Sequence, residues 1–126
     1  MPATVDYAAW VRQLWESFER DGVLGMRPFV DDDVEWQPAD GAVIRGLDAL
    51  AEHWDLTPGR PKVVANAWEQ HGDCVLVHGS MRVHRDGGFV DRQPSWVYFF
   101  RAGRLVRAAS FASRDEAVAA IERHSV

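Results

Sequence analysis

The chain has 126 residues and a 47% hydrophobic composition that includes six Trp, six Phe and two Tyr, enough for one domain, residues 1–126, with a substantial core. Fourteen basic against nineteen acidic side chains leave a net charge of −5, which argues against nucleic acid, because neutralising phosphates takes a basic stripe. The single cysteine, Cys74, excludes a disulfide framework and a cysteine-based zinc site, and no apolar run nears the roughly 20 residues of a bilayer span, so a cytoplasmic protein without membrane contact is expected.

Tyr7, Val11, Leu14, Trp15 and Phe18 recur at helical spacing behind Asp6, a candidate N-cap, and Asp21-Gly22 ends that helix. Val23, Met26, Phe29 and Val30 suggest a shorter helix, with Pro28 as a conflicting signal. Asp31-Asp32-Asp33 reads as a polar break before a short strand, Val34 to Gln37. Pro38-Ala39-Asp40-Gly41 is turn chemistry, and Val43-Ile44 a second short strand. Gly46 opens a helix through Leu47, Leu50, Ala51 and Trp54, and Pro58-Gly59-Arg60-Pro61 closes it as a loop.

Four strands follow, Val63 to Gln70, Cys74 to Arg85, Phe89 to Arg101 and Arg104 to Ala112, joined by short Gly-containing turns as in an antiparallel meander. Ser113-Arg114-Asp115-Glu116 is a capping box that announces a last helix. Helices first and a meander afterwards predict an α+β fold. A cone-shaped, strongly curved antiparallel sheet would wrap around the N-terminal helices, with a C-terminal helix at the end.

The order and spacing of five segments resemble the nuclear transport factor 2-like superfamily, in its SnoaL-like branch. They are Asp21-Gly22, Asp32-Asp33-Val34-Glu35-Trp36, the run from Ile44-Arg45-Gly46 to Leu50, the run from Phe99 to Arg107 around Ala102-Gly103, and the run from Phe111 to Ala117. The resemblance implies a deep pocket between sheet and helices, and commonly a homodimer, but no single activity. The isomerase positions of the superfamily fall on Leu14, Gln37 and Trp96. Those of its epoxide hydrolases fall on Gly79, Met81, Trp36 and Ser110, and the cyclase acid–base position also falls on Ser110. None of these residues can titrate near neutrality.

Alternation in the strand from Val75 to Val83 puts Val75, Val77, Gly79 and Met81 on the buried face, and the family register turns Trp96, Tyr98 and Phe100 inward. The pocket lining is then Leu14, Phe18, Trp36, Trp54, Val77 and Met81, with Trp96, Tyr98 and Phe100, above Ser110 as a small polar floor. Such a wall suits a small apolar or aromatic molecule. The alternative is that these aromatics fill the cone and leave an assembly module that acts through its sheet surface. Val97 and Phe99 make the other face of that strand apolar too, and a homodimer through the sheet would cover it.

Polar candidates are few. His53 stands beside Trp54, but Trp54 and Leu50 are the better inward pair, which leaves His53 to solvent. His78 and His84 share an outer face with Arg82. Asp91 and Arg92 precede Pro94 near the pocket mouth, where simple alternation from Trp96 turns Arg92 in and Asp91 out and a bulge at Pro94 would reverse them; Arg92 could hold a carboxylate or enolate, or simply pair with its neighbour. An isomerase, cyclase or dehydratase on a polycyclic or polyketide-like substrate would have to draw its acid and base from Tyr98, His53, Asp91 or Arg92. No metal site and no cofactor are expected, since no ligand spacing is present.

Overall fold

A computed structural model describes residues 6–38, 42–55 and 62–125. Helix α1, Tyr7–Asp21, leads into a 3-10 helix, Val23–Phe29. Strands β1, Val30–Gln37, and β2, Ile44–Arg45, precede helix α2, Leu47–Asp55. Then come β3, Lys62–His71, β4, Cys74–Arg85, β5, Gly88–Arg92, β6, Ser95–Arg101, and β7, Arg104–Phe111, before helix α3, Arg114–Ser125. The loop around Pro58 lies outside the described residues.

The helix boundaries follow local chemistry. The Asp6 carboxylate accepts from the Ala9 N–H at 3.0 Å, capping α1. At the other end Gly22 takes φ 80°, where a side chain would be strained, and donates its N–H to the Phe18 carbonyl at 2.8 Å. Ser113 caps α3 by accepting from the Glu116 N–H, and the Glu116 carboxylate reaches back to the Ala112 N–H, so the capping box forms one residue wider than its usual pattern.

The seven strands form one mixed sheet in the order β2-β1-β7-β6-β4-β3, with β5 hydrogen-bonded to β4 off this path. The β1–β7 pair is parallel, which corrects the expectation of a purely antiparallel sheet. Two strand boundaries also differ. The stretch from Phe89 to Arg101 is broken at Gln93-Pro94 into β5 and β6, because proline brings no N–H to the ladder. The aspartate run, expected as a break, belongs to β1: between Val30 and Glu35 the strand advances five residues while β7 advances only from Leu105 to Arg107, so Asp31-Asp32-Asp33 form the excess as a bulge.

The sheet has an inner face toward α1 and an outer face toward α3. Val11, Leu14, Met26, Val34, Val75, Val77 and Leu105 belong to the inner core. On the outer face, Cys74, Leu76, Val97 and Phe99 are buried with Ala117 and Ile121 of α3. The apolar second face of β6 is therefore covered by the chain's own last helix, and Val97 and Phe99 do not require a partner subunit. Arg114 of α3 grips the Glu69 carboxylate of β3 with contacts at 2.9 to 3.2 Å, which fixes the helix across the outer face.

Candidate functional site

The inner face is built from alternate strand positions, and their pairing defines it. Val75 opposes Tyr98, Val77 opposes Trp96, and Tyr98 and Trp96 in turn oppose Ala108 and Ser110. Trp36 of β1 also pairs with Ala108. The period of two thus brings Trp36, Val77, Trp96, Tyr98 and Ser110, each expected to line a pocket, onto one surface.

Aromatic packing closes the deeper part of that surface. Tyr7 stacks on Phe100 with ring centroids 4.4 Å apart. Trp15 wedges edge-on between Trp68 at 5.7 Å and Trp96 at 5.4 Å, and its indole N–H donates to the Tyr98 hydroxyl at 2.8 Å. Trp36 meets Tyr98 edge to face at 6.2 Å. Val77 is fully buried and Tyr98 is 2% exposed, and Leu14, Phe100 and Trp36 are buried with them. Val77, Tyr98 and Leu14 keep at most 2% of their surface, so this part of the face is close-packed.

The same face opens toward Pro94. Trp96, Met81 and Ser110 keep intermediate exposure there, as does Phe18 one turn beyond Leu14 on α1. The Trp96 ring lies over Gly79: a Cβ added to Gly79 would press first on the Val64 carbonyl oxygen of β3 and would sit 2.8 Å from the ring's Cζ3, so both the neighbouring strand and the indole call for glycine. Beyond Gly79, the next inner position on β4 is Met81, and its cross-strand partner on β5 is Arg92. Arg92 is exposed and therefore stands at the rim, as alternation predicts.

Charges are distributed unequally between the faces. Asp91, on the outer face opposite Arg82, accepts from that guanidinium through both oxygens, at 2.8 and 3.1 Å. The hydrogen bonds from Arg82 hold the Asp91 carboxyl below its usual range. Arg82 also stacks on the Phe89 ring, 3.8 Å from its centroid. Asp91 therefore pairs across the strands and not with its neighbour Arg92, which has no ion pair among the described residues.

Besides Tyr7 of α1, the one buried ionisable group described on the inner side is Tyr98. Burial raises its pKa well above the ordinary phenol range, against a smaller opposing effect of the Trp15 hydrogen bond. The hydroxyl stays neutral, and its proton meets no acceptor among the described residues. His78 lies on the outer face, with Nδ1 2.9 Å from the hydroxyl of the fully buried Ser95. The side chains of His53 and Trp54 lie outside the described residues. Among those described, no group of three potential metal ligands converges.

Trp68 is an inner residue that pattern reading missed. An extra residue, Asn66, interrupts the register between Ala65 and Ala67. Strict alternation from Ala65 would turn Trp68 outward, whereas the bulge sets it opposite Val77. Its other edge borders a surface hollow of about 420 Å³ between α1 and β3, where Arg12, Glu16 and Glu19 add charge. A second hollow, of about 490 Å³, lies between the start of α2 and β1. Neither includes the Trp96 rim.

Comparison with known proteins places this geometry. A family model described as a SnoaL-like domain matches residues 11–108. No curated protein sequence matches. Among solved structures, a nuclear transport factor 2-like protein of unknown function from Burkholderia pseudomallei is 22% identical, with a TM-score of 0.71 over 86% of this chain and 92% of that one. A Jannaschia protein given the name SnoaL-like polyketide cyclase is 17% identical, with a TM-score of 0.64 over 87% of this chain and 92% of that one. TerC, crystallised with polyporic acid, is 19% identical, with a TM-score of 0.70 over 89% and 95%. At these identities the likeness is one of fold.

Proposed function

The chain belongs to the SnoaL-like domain family, within the nuclear transport factor 2-like superfamily, and we propose that it binds a small, flat, largely apolar organic molecule at the inner-face rim. The observation that carries this reading is the partial exposure of Trp96, Met81 and Ser110 beside the buried Val77, Tyr98 and Ala108. Trp96 offers an aromatic platform, Met81 an adaptable apolar edge and Ser110 a hydroxyl that can orient one polar group. The crystallisation of TerC with polyporic acid agrees with a small organic ligand for this fold.

The packed deep end is what a filled cone would require, and it confines the proposed site to the rim. Isomerase, cyclase or dehydratase chemistry has less support. The described inner face holds no carboxylate or imidazole, and a tyrosine with a raised pKa can donate a hydrogen bond but is a poor base at neutral pH.

Tryptophan fluorescence titrated with a panel of steroids and polycyclic aromatic compounds tests the reading. Saturable quenching by at least one compound, lost in Trp96→Leu while the thermal melt persists, is the expected result. A silent panel, or quenching indifferent to that substitution, would overturn it.

A further inference from the structure

Followed along β4 as far as Met81, the inner face of the sheet presents a run of uncharged positions. From β1 it presents Val34 and Trp36, and from β3 Ala65, Trp68 and Gln70. From β4 come Val75, Val77, Gly79 and Met81, and from β6 and β7 Trp96, Tyr98, Phe100, Ala108 and Ser110. Beside Met81 stands the charged Arg92, set on this face by their pairing, and Arg85 at the end of β4 shares the same parity. The neighbouring arginine on the outer face shows how differently a structural arginine is held: Arg82 has both a bidentate carboxylate and an aromatic ring, while Arg92 has neither.

We infer that Arg92 selects an anionic ligand, a flat aromatic molecule whose body lies on Trp96 and whose carboxylate, sulfonate or enolate oxygen meets the Arg92 guanidinium. This rests on the rim reading above and adds the ligand's charge to it. The spacing suits such a molecule. The Trp96 ring reaches Gly79, and the Met81–Arg92 pair is two residues farther along β4, roughly 7 Å on at ordinary strand rise. That distance is about the width of a fused ring system. The planar guanidinium presents two parallel N–H groups to an oxyanion, and no described carboxylate forms an ion pair with it.

Two dyes that differ only in the anionic group test this: anilinonaphthalene sulfonate and its neutral counterpart N-phenylnaphthylamine. The sulfonate is expected to bind the wild-type chain about 5- to 10-fold more tightly than the neutral dye, as a charge-assisted contact at a partly wetted rim would give. That preference should shrink with added salt, vanish in Arg92→Gln, and survive in part in Arg92→Lys. Arg92 is exposed and unpaired, so these variants should melt like wild type, which a thermal scan checks.

Equal binding of the two dyes, or a preference untouched by Arg92→Gln, overturns the anionic assignment and leaves the rim site standing. Sulfonate binding that survives Trp96→Leu also overturns it, because the charge preference would then belong to another surface. Failure of both dyes to bind removes the rim reading and this inference together.

Discussion

The two ends of one sheet face behave oppositely. At the deep end Tyr7 stacks on Phe100 and the Tyr98 hydroxyl accepts from the Trp15 indole, and Tyr7, Tyr98 and Phe100 are buried. Toward Pro94, Trp96, Met81 and Ser110 keep part of their surface, and Arg92 adds a charge beside them. Both ends follow the same strand period, so alternation alone cannot tell them apart. What separates them is exposure: Tyr98 and Phe100 are buried, while Trp96, with its own edge contact to Trp15, keeps part of its surface.

The largest effect should come from emptying the closed end. Phe100→Ala removes the ring stacked on Tyr7 and is expected to cost about 3–5 kcal/mol in chemical denaturation, while rim binding by the surviving folded protein changes little. If Phe100→Ala proved harmless, the deep end would not be packed. Gly79→Ala probes the boundary between the ends. Its methyl would collide with the Val64 carbonyl oxygen as well as the Trp96 ring, so a loss of about 1–3 kcal/mol is expected together with a shift in Trp96 emission.

Next comes the buried phenol. The pKa of Tyr98 is higher folded than unfolded, so its contribution is complete below the unfolded value near 10 and is lost as pH rises toward the folded one. Denaturation midpoints should therefore fall above about pH 10, by no more than about 1.4 kcal/mol per pH unit from this group. Tyr98→Phe should flatten that part of the profile.

The smallest effect belongs to the outer face and serves as a reference for both ends. The hydrogen bonds from Arg114 depress the Glu69 pKa, so the stabilisation is present above the ordinary carboxylate range and is lost as pH falls through the folded value. Glu69→Gln should remove that acid sensitivity with well under about 1 kcal/mol of loss at neutral pH, because the pair is half exposed. It should also leave rim binding unchanged.

Much of this architecture was legible in the residues. The helical stripe from Tyr7 to Phe18, the capping box at Ser113 and the alternation through β4 reported real elements because each is a local signal with one dominant physical cause. The same alternation set Arg92 in and Asp91 out across the Gln93-Pro94 break. The failures arise where distant segments decide. The parallel pairing of β1 with β7 and the cover that α3 gives Val97 and Phe99 depend on residues far away in sequence. Trp68 escaped because one extra residue, Asn66, reverses the parity after it. The rim and the deep end were read as a single lining because Trp15 was taken as helix core, whereas its indole plugs the space between Trp68 and Trp96.

The parallel ladder between β1 and β7 bears on how the molecule is made. Val30 pairs with Leu105 and Gln37 with Ala109, so a strand near the amino terminus waits for one near the carboxyl terminus before its backbone groups are met. During synthesis most of the polypeptide must leave the ribosome before that seam can close, and such distant closure is slow. Until then β1 offers an unmatched flank that invites pairing between nascent copies. A truncation removing β7 should for this reason yield clumping chains and not a smaller folded unit.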